Sequence, residues 1–160
     1  MIVYADRRGN YPQLIEIMPD GNQSVLETYP AQNSGSPETF SRFLNYMIET
    51  APAKRYGLIL FSHATGWLPQ GALENPTLEE KPLSRTVFDD NGEQMTLAEL
   101  ADALPADIRF DYVVFENCFM GGAEVASPSA TRQTGRLYSQ SRSGCRIGRA
   151  QFLELHYVQH

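Results

Sequence analysis

Two residues whose side chains could act together in nucleophilic catalysis each close a short apolar segment. His63 closes the run 56–63, and Cys118 closes the run 110–118. The thiolate is the nucleophilic form of cysteine, and a free thiol with a pKa near about 8.5 is mostly protonated at neutral pH. A neighbouring imidazole, or the amino end of a following helix, would favour the thiolate. The two residue types therefore predict thiol-based attack on a carbonyl group.

The two apolar segments are typical of parallel strands that are covered on both faces. In open α/β sheets the reactive groups lie where parallel strands reach their carboxyl ends. Two such strands side by side would bring His63 and Cys118 together at one edge of the sheet. A cysteine and a histidine in contact are the smallest set of catalytic residues that a cysteine peptidase can use. A buried structural cysteine and a hydrogen-bonded strand-end histidine are the alternatives that the pattern alone leaves open.

The remaining elements predict an α/β fold with a mainly parallel sheet flanked by helices. A strand is expected from Ile2, and a Pro-Asp-Gly-Asn turn at 19–22 predicts a hairpin. Ser36 and Pro37 start a helix whose apolar positions recur at helical spacing. Thr96 with Glu99 forms a capping box that starts a second helix. The strand–helix–strand unit that leads to His63 should cross over right-handedly.

Size and charge limit the classes of function. The chain has 160 residues and 42% hydrophobic residues, which suits one domain with a real core. Its net charge of −6 argues against a nucleic-acid partner. No apolar run approaches the roughly 20 residues that a membrane span needs. The two cysteines form no disulfide framework, so the compartment stays open. No cofactor is predicted, and calcium dependence does not follow from the sequence.

Composition changes near residue 127. Residues 1–126 carry 8 Lys and Arg against 18 Asp and Glu, whereas 127–160 carry five Arg and a single Glu. We therefore expect two regions, an α/β domain over 1–126 and a basic tail over 127–160 that is disordered. The start of the chain in a strand also suggests that an upstream segment is missing.

Two motifs resemble the active-site motifs of clostripain-like cysteine peptidases. The segments are Phe-Ser-His-Ala-Thr-Gly-Trp at 61–67 and Phe-Glu-Asn-Cys-Phe-Met-Gly at 115–121. The family pattern is a His-Gly-x-Gly-Trp turn, followed later by an acidic residue, one residue, the nucleophilic cysteine and an apolar pair. The similarity covers residues 2–126. It implies a caspase-type α/β fold, here incomplete, and peptide or protein substrates.

The resemblance also implies roles for single residues. His63 would be the general acid and base, and Cys118 the nucleophile that forms an acyl-enzyme. The backbone N–H groups of Ala64 and Cys118 would form the oxyanion hole. Glu116 stands where the family usually has Asp, and its carboxylate would accept Arg or Lys at the P1 position of the substrate. Ala64 replaces the usual Gly, so the N–H remains while positive φ becomes unfavourable.

The similarity ends beyond Ala126. Three further expectations concern the tail, the function and the location of the protein. With plausible codons, a one-base shift in 136–142 yields Asp-Tyr-Ile-Leu-Ser-Pro, close to a strand that the family would show there, so we expect a frame-shifted tail. The resemblance implies a cysteine-type endopeptidase that cleaves after Arg or Lys through a Cys-His dyad, and the alternatives are an inactive pseudo-peptidase fragment and a non-catalytic α/β interaction domain. Full-length relatives are expected to be exported bacterial proteins.

Overall fold

The computed structural model describes residues 1–62, 64, 86–90, 93–117, 137–139 and 150–158. Nine strands and two helices lie within them. In chain order they are β1 (Ile2–Arg7), β2 (Gln13–Ile17), β3 (Gln23–Thr28), α1 (Pro37–Thr50), β4 (Arg55–Phe61), β5 (Thr86–Asp90), β6 (Glu93–Thr96), α2 (Leu97–Ala103), β7 (Phe110–Phe115), β8 (Leu137–Ser139) and β9 (Ala150–Val158).

Seven strands form one sheet, in the order β3-β2-β1-β9-β4-β7-β8. β4 pairs in parallel with β7, and β7 with β8, whereas β9 is antiparallel to both of its neighbours, β1 and β4. Five of the seven strands, including β1, β4 and β7, therefore run in the same direction. Their carboxyl ends meet at one edge of the sheet, which is the edge where reactive groups lie in α/β folds.

The first helix forms where the capping residues predict it. The Ser36 side chain accepts a hydrogen bond from the Thr39 N–H, and Pro37 follows at the first helical position. The buried side chains of α1 recur at the spacing of one helix face, and they are Thr39, Phe40, Phe43, Leu44 and Met47. The Phe43 ring stacks on Tyr4 of β1, with ring centroids 4.1 Å apart. Helix α1 is therefore fixed to the centre of the sheet.

The second helix lies on the same face of the sheet. Its capping box is present: Thr96 accepts from the Glu99 N–H, and the Glu99 carboxylate accepts from the Thr96 N–H. Residues of α1 and α2 share one core cluster with strand residues such as Ile2, Leu58 and Leu60. A smaller cluster around Val3 lies on the opposite face. Both helices of the described residues lie on the face of the larger cluster.

Two segments within residues 127–160 form strands of the sheet. Residues 137–139 form β8 at one end of the sheet, and 150–158 form β9 in its interior. β9 pairs with β1 from Ile2 to Arg7 and with β4 from Arg55 to Phe61. A strand was not predicted here because no hairpin or capping signal marks its ends. The domain boundary near residue 127 and the frame shift remain predictions.

Candidate active site

The described residues surround the predicted site without including its two reactive side chains. His63 and Cys118 lie outside the described residues. Ala64 is described and fully buried, and Glu116 is described and exposed. The flanking positions Ser62 and Asn117 are both buried. The structure thus shows the ends of the two strands that lead to the predicted nucleophile and base.

The register between β4 and β7 is set by an irregularity at the start of the pair. Tyr56 is the partner of Phe110, but the next residue, Gly57, is the partner of Tyr112. Asp111 is therefore the extra residue of a bulge, and bulges often adjust strands beside active sites. Beyond the bulge every pair has the same separation of 55 positions, as in Leu60 and Phe115.

Gly57 is required where the bulge ends because a side chain from β7 occupies its space. A Cβ added at Gly57 would lie 2.5 Å from the Cε1 and Cε2 atoms of Tyr112 and closer still to Cζ. Contacts of this length are not tolerated between carbon atoms. The phenol ring of Tyr112 thus lies across the backbone of β4, and this contact fixes the position of β4 relative to β7.

The strand β7 is held beyond its last residue by two hydrogen bonds to different elements. The Glu116 N–H donates to the Leu60 carbonyl at 2.8 Å, so pairing with β4 continues past Phe115. The side chain of Asn117 then donates from Nδ2 to the Val87 carbonyl of β5 at 2.5 Å. The main chain that enters Cys118 is therefore fixed on two sides.

The β5–β6 hairpin that receives Asn117 is itself anchored in the core. Val87, Phe88 and Met95 are buried there. The Phe88 ring lies 5.9 Å from that of Phe40 in α1. At the other end of β5, the Asp90 carboxylate accepts from the backbone N–H of Ser34 at 2.8 Å. The hairpin is consequently a rigid support for the end of β7.

A polar cluster lies at the carboxyl end of β1, on the same sheet edge. The Ser34 hydroxyl donates to Asp6 at 2.5 Å and is hydrogen-bonded to the Tyr4 hydroxyl at 2.8 Å. Burial raises the pKa of Asp6, the bond from Ser34 opposes this, and the nearby Asp90 carboxylate raises it further. Burial likewise raises the pKa of Tyr4. The cluster connects β1, the loop before α1 and β5.

The described part of the chain contains no cluster of three or more His, Cys, Asp or Glu side chains that could hold a metal ion. Within the same residues, no helix has the length and apolar character needed to span a membrane.

Comparison with known proteins identifies the family. The sequence model of the clostripain family, Peptidase_C11, matches residues 1–132. The chain belongs to the clostripain family. Clostripain of Hathewaya histolytica is 32% identical over 106 residues, which are 64% of this chain and 19% of that protein. The family resemblance seen in the two motifs is thereby confirmed.

Solved structures of the family agree with the fold. An inactive zymogen C11 protease from Parabacteroides distasonis matches with a TM-score of 0.69 and 30% identity, over 92% of this chain and 39% of that one. A secreted C11 cysteine protease from Bacteroides thetaiotaomicron, in complex with an irreversible peptide inhibitor, matches with a TM-score of 0.64 and 29% identity, over 83% and 36%. The predicted caspase-like α/β class is confirmed, and the chain spans about two fifths of these structures.

Sequence reasoning missed two features of this clostripain-family site. The anchoring role of Asn117 was missed because the family pattern places no constraint on the residue before the cysteine. The contact between Gly57 and Tyr112 was missed because a glycine inside a strand only hints at a close approach. The contact between Gly57 and Tyr112 cannot be found without the register of β4 and β7, which depends on a bulge.

Proposed function

We propose that this chain carries the catalytic dyad of a cysteine-type endopeptidase, with His63 as general acid and base and Cys118 as nucleophile. The register of β4 and β7 is the observation that supports it most directly. Beyond the bulge, paired residues are separated by 55 positions. His63 and Cys118 have the same separation. If the register continues three residues past Leu60 and Phe115, the two reactive residues become partners at the carboxyl edge.

Side-chain alternation supports the same proposal. Phe115 at the end of β7 and Asn117 just beyond it are buried, whereas Glu116 between them is exposed. Because successive strand residues point to opposite faces, Cys118 has the parity of Glu116. His63 likewise has the parity of Phe61 on β4. Because paired residues of parallel strands lie on the same face of the sheet, this is also the face of Glu116 and Cys118 in the 55-position register. The dyad and Glu116 would therefore share one accessible face.

The chemistry that follows is acyl transfer. His63 takes the thiol proton of Cys118, and the sulfur attacks the carbonyl carbon of the substrate while the N–H groups of Ala64 and Cys118 stabilise the oxyanion. The C–N bond then breaks, and the imidazolium of His63 gives its proton to the departing amine. A water molecule, deprotonated by the same imidazole, attacks the thioester and releases the acid and the free thiol. The burial of Ala64 is compatible with a backbone donor in a site that excludes water.

Glu116 is proposed to select a basic residue at P1. Its side chain is exposed at the carboxyl end of β7, on the parity of the proposed nucleophile. A carboxylate there can pair with the guanidinium of Arg or the ammonium of Lys. The relatives include a secreted protease, and we propose that this protein is likewise exported.

The dyad is tested with an acylating peptide probe that carries Arg or Lys at P1, because labelling requires both the pocket and the nucleophile. Cys118→Ala should abolish labelling, and His63→Ala should reduce the acylation rate by about 10²–10⁴-fold. Groups that act as a unit are not additive, so the double variant should be no worse than Cys118→Ala. Labelling that persists in Cys118→Ala would exclude the proposed nucleophile. An unlabelled parent chain would instead support the inactive fragment.

The specificity of Glu116 is tested with Glu116→Gln, which keeps the size and removes the charge. Loss of a partly desolvated ion pair should weaken transition-state binding of P1 Arg peptides by about 2–5 kcal/mol, and kcat/KM for these peptides should fall accordingly. The measured quantity is the ratio of kcat/KM on paired peptides with Arg or Ala at P1. Glu38→Gln, a change on helix α1, is the matched control. An unchanged ratio in Glu116→Gln would place the pocket elsewhere.

A further inference from the structure

The residue before the proposed nucleophile has a buried polar side chain that the dyad mechanism does not use. Asn117 is only 1% exposed. Its Nδ2 donates to the Val87 carbonyl. The reverse orientation of the amide would place Oδ1 against that carbonyl oxygen, and two acceptors repel. A single hydrogen bond therefore fixes the rotamer of Asn117.

The other half of the amide is also buried. Among the described residues, Oδ1 of Asn117 accepts no hydrogen bond. A buried polar group costs free energy unless it is hydrogen-bonded, so an apolar residue would be the simpler choice for core packing alone. A side chain that keeps such a group at the end of β7 points to a role beyond filling space.

The two residues before Cys118 are held by different elements. The Glu116 main chain is held by β4 through the Leu60 carbonyl. The Asn117 side chain is held by the β5–β6 hairpin through Val87. These two attachments restrain the end of β7 along the sheet and perpendicular to it. The residue that follows them in the chain is Cys118, the proposed nucleophile.

We propose that Asn117 is a positioning residue that holds Cys118 at the distance its proton transfer to His63 requires, with the β5–β6 hairpin as its anchor. This inference rests on the proposed dyad. Asn117 acts from the core side of the strand end, through the main chain, and contacts no substrate. Without the amide the strand end is held only by β4, and the thiol moves relative to its base. A displacement of about 1 Å at a reacting group can reduce the rate about 100-fold.

The test compares Asn117→Ala and Asn117→Asp in the full 160-residue chain. Asn117→Asp has nearly the same size, but its carboxylate cannot donate to the Val87 carbonyl. The primary measurement is the pH dependence of alkylation of Cys118 by iodoacetamide, resolved from Cys145 by peptide mass mapping. The parent midpoint should lie below the value of about 8.5 for a free thiol. Both variants should move it up towards that value. Ser36→Ala, which removes the cap of α1, is the control for lost stability.

The second measurement is steady-state cleavage of a P1 Arg peptide. Both Asn117 variants should lower kcat by about 100-fold and leave KM nearly unchanged, because the substrate pocket keeps its residues. Ser36→Ala should alter neither the alkylation midpoint nor kcat at a temperature where the chain stays folded. A midpoint that Ser36→Ala shifts as far as the Asn117 variants would show a purely structural effect and overturn the inference.

The outcome for the dyad is read separately with His63→Ala. If His63→Ala raises the alkylation midpoint while both Asn117 variants keep the parent value, the positioning role is overturned and the dyad stands. If the parent thiol already titrates like a free thiol and His63→Ala does not change it, both proposals fall. Raised midpoints in all three variants, with Ser36→Ala unchanged, support the inference.

Discussion

Replacement of Gly57 by alanine should disturb the pair of strands that carry the dyad. Gly57 is not in the left-handed region of backbone space, so its main chain can accept a side chain. The ring of Tyr112 is what opposes the change, since the new Cβ would lie 2.5 Å from Cε1 and Cε2 and closer still to Cζ. Carbon atoms at ordinary contact are about 3.5–4.0 Å apart, so the ring or β4 must move by more than about 1 Å.

The change in the free energy of unfolding caused by Gly57→Ala can be estimated from two opposing effects. Overpacking of this kind typically costs about 1–3 kcal/mol. The loss of glycine restricts the unfolded chain, which returns about 0.4–1 kcal/mol. Taking the middle of each range, we expect Gly57→Ala to lower the free energy of unfolding by about 1.3 kcal/mol. The change should also reduce labelling of Cys118, because the register that reaches it begins at this contact.

A double-mutant cycle with Tyr112→Ala separates the clash from other effects. Removal of the ring should rescue Gly57→Ala, so the double variant should be more stable than additivity predicts, by about 1–3 kcal/mol. Tyr112→Phe keeps the ring carbons and should not rescue. Arg55→Ala removes the nearby exposed ion pair with Asp111 and should cost less than about 1 kcal/mol. Urea unfolding gives the free energy of unfolding of the parent chain and of each variant. Additive behaviour in the cycle, or a Gly57→Ala chain as stable as the parent, would refute the ring contact.

Two further predictions concern the polar cluster and the second helix. The folded-state pKa of Asp6 is raised above its ordinary value of 3.8, so the folded chain binds more protons there and stability falls as pH rises through this window. Asp6→Asn should therefore weaken the decrease in unfolding free energy as the pH rises above about 3.8; urea unfolding that gives both chains the same dependence of unfolding free energy on pH would contradict this. Thr96→Ala removes the capping box of α2 and should cost about 1 kcal/mol, whereas Thr96→Ser should cost little; equal losses in thermal unfolding would show that the hydroxyl does not matter.

Local signals were sufficient to predict much of this fold. Ser36 and Thr96 each mark a helix start, since one side chain and one backbone N–H decide the cap. The apolar runs before His63 and Cys118 predicted two parallel strands, and β4 and β7 are parallel neighbours. Such features depend on residues that are close in the chain. They can be predicted before any tertiary contact is known.

Long-range features escaped the prediction because no short segment encodes them. The bulge at Asp111 depends on how β7 fits beside Gly57, 54 positions earlier. The bond from Asn117 to Val87 joins residues 30 positions apart. The pairing of β5 with β6 was missed because only the first strand of that hairpin has an apolar pattern. The reactive residues of the candidate site can thus be recognised from local sequence patterns, whereas the contacts that support them are known only from the tertiary structure.

The position of β9 bears on the origin of the tail. The register sets Leu155 beside both Ile2 and Leu58, and Leu153 beside both Tyr4 and Leu60. The partners Ile2, Tyr4, Leu58 and Leu60 are buried core positions. A frame-shifted tail would carry no selected alternation, so apolar residues at the core register would then be a coincidence. The encoding DNA decides the matter: a single-base shift that opens an Asp-Tyr-Ile-Leu strand would confirm the frame shift, and its absence would leave β9 as a genuine part of the sheet.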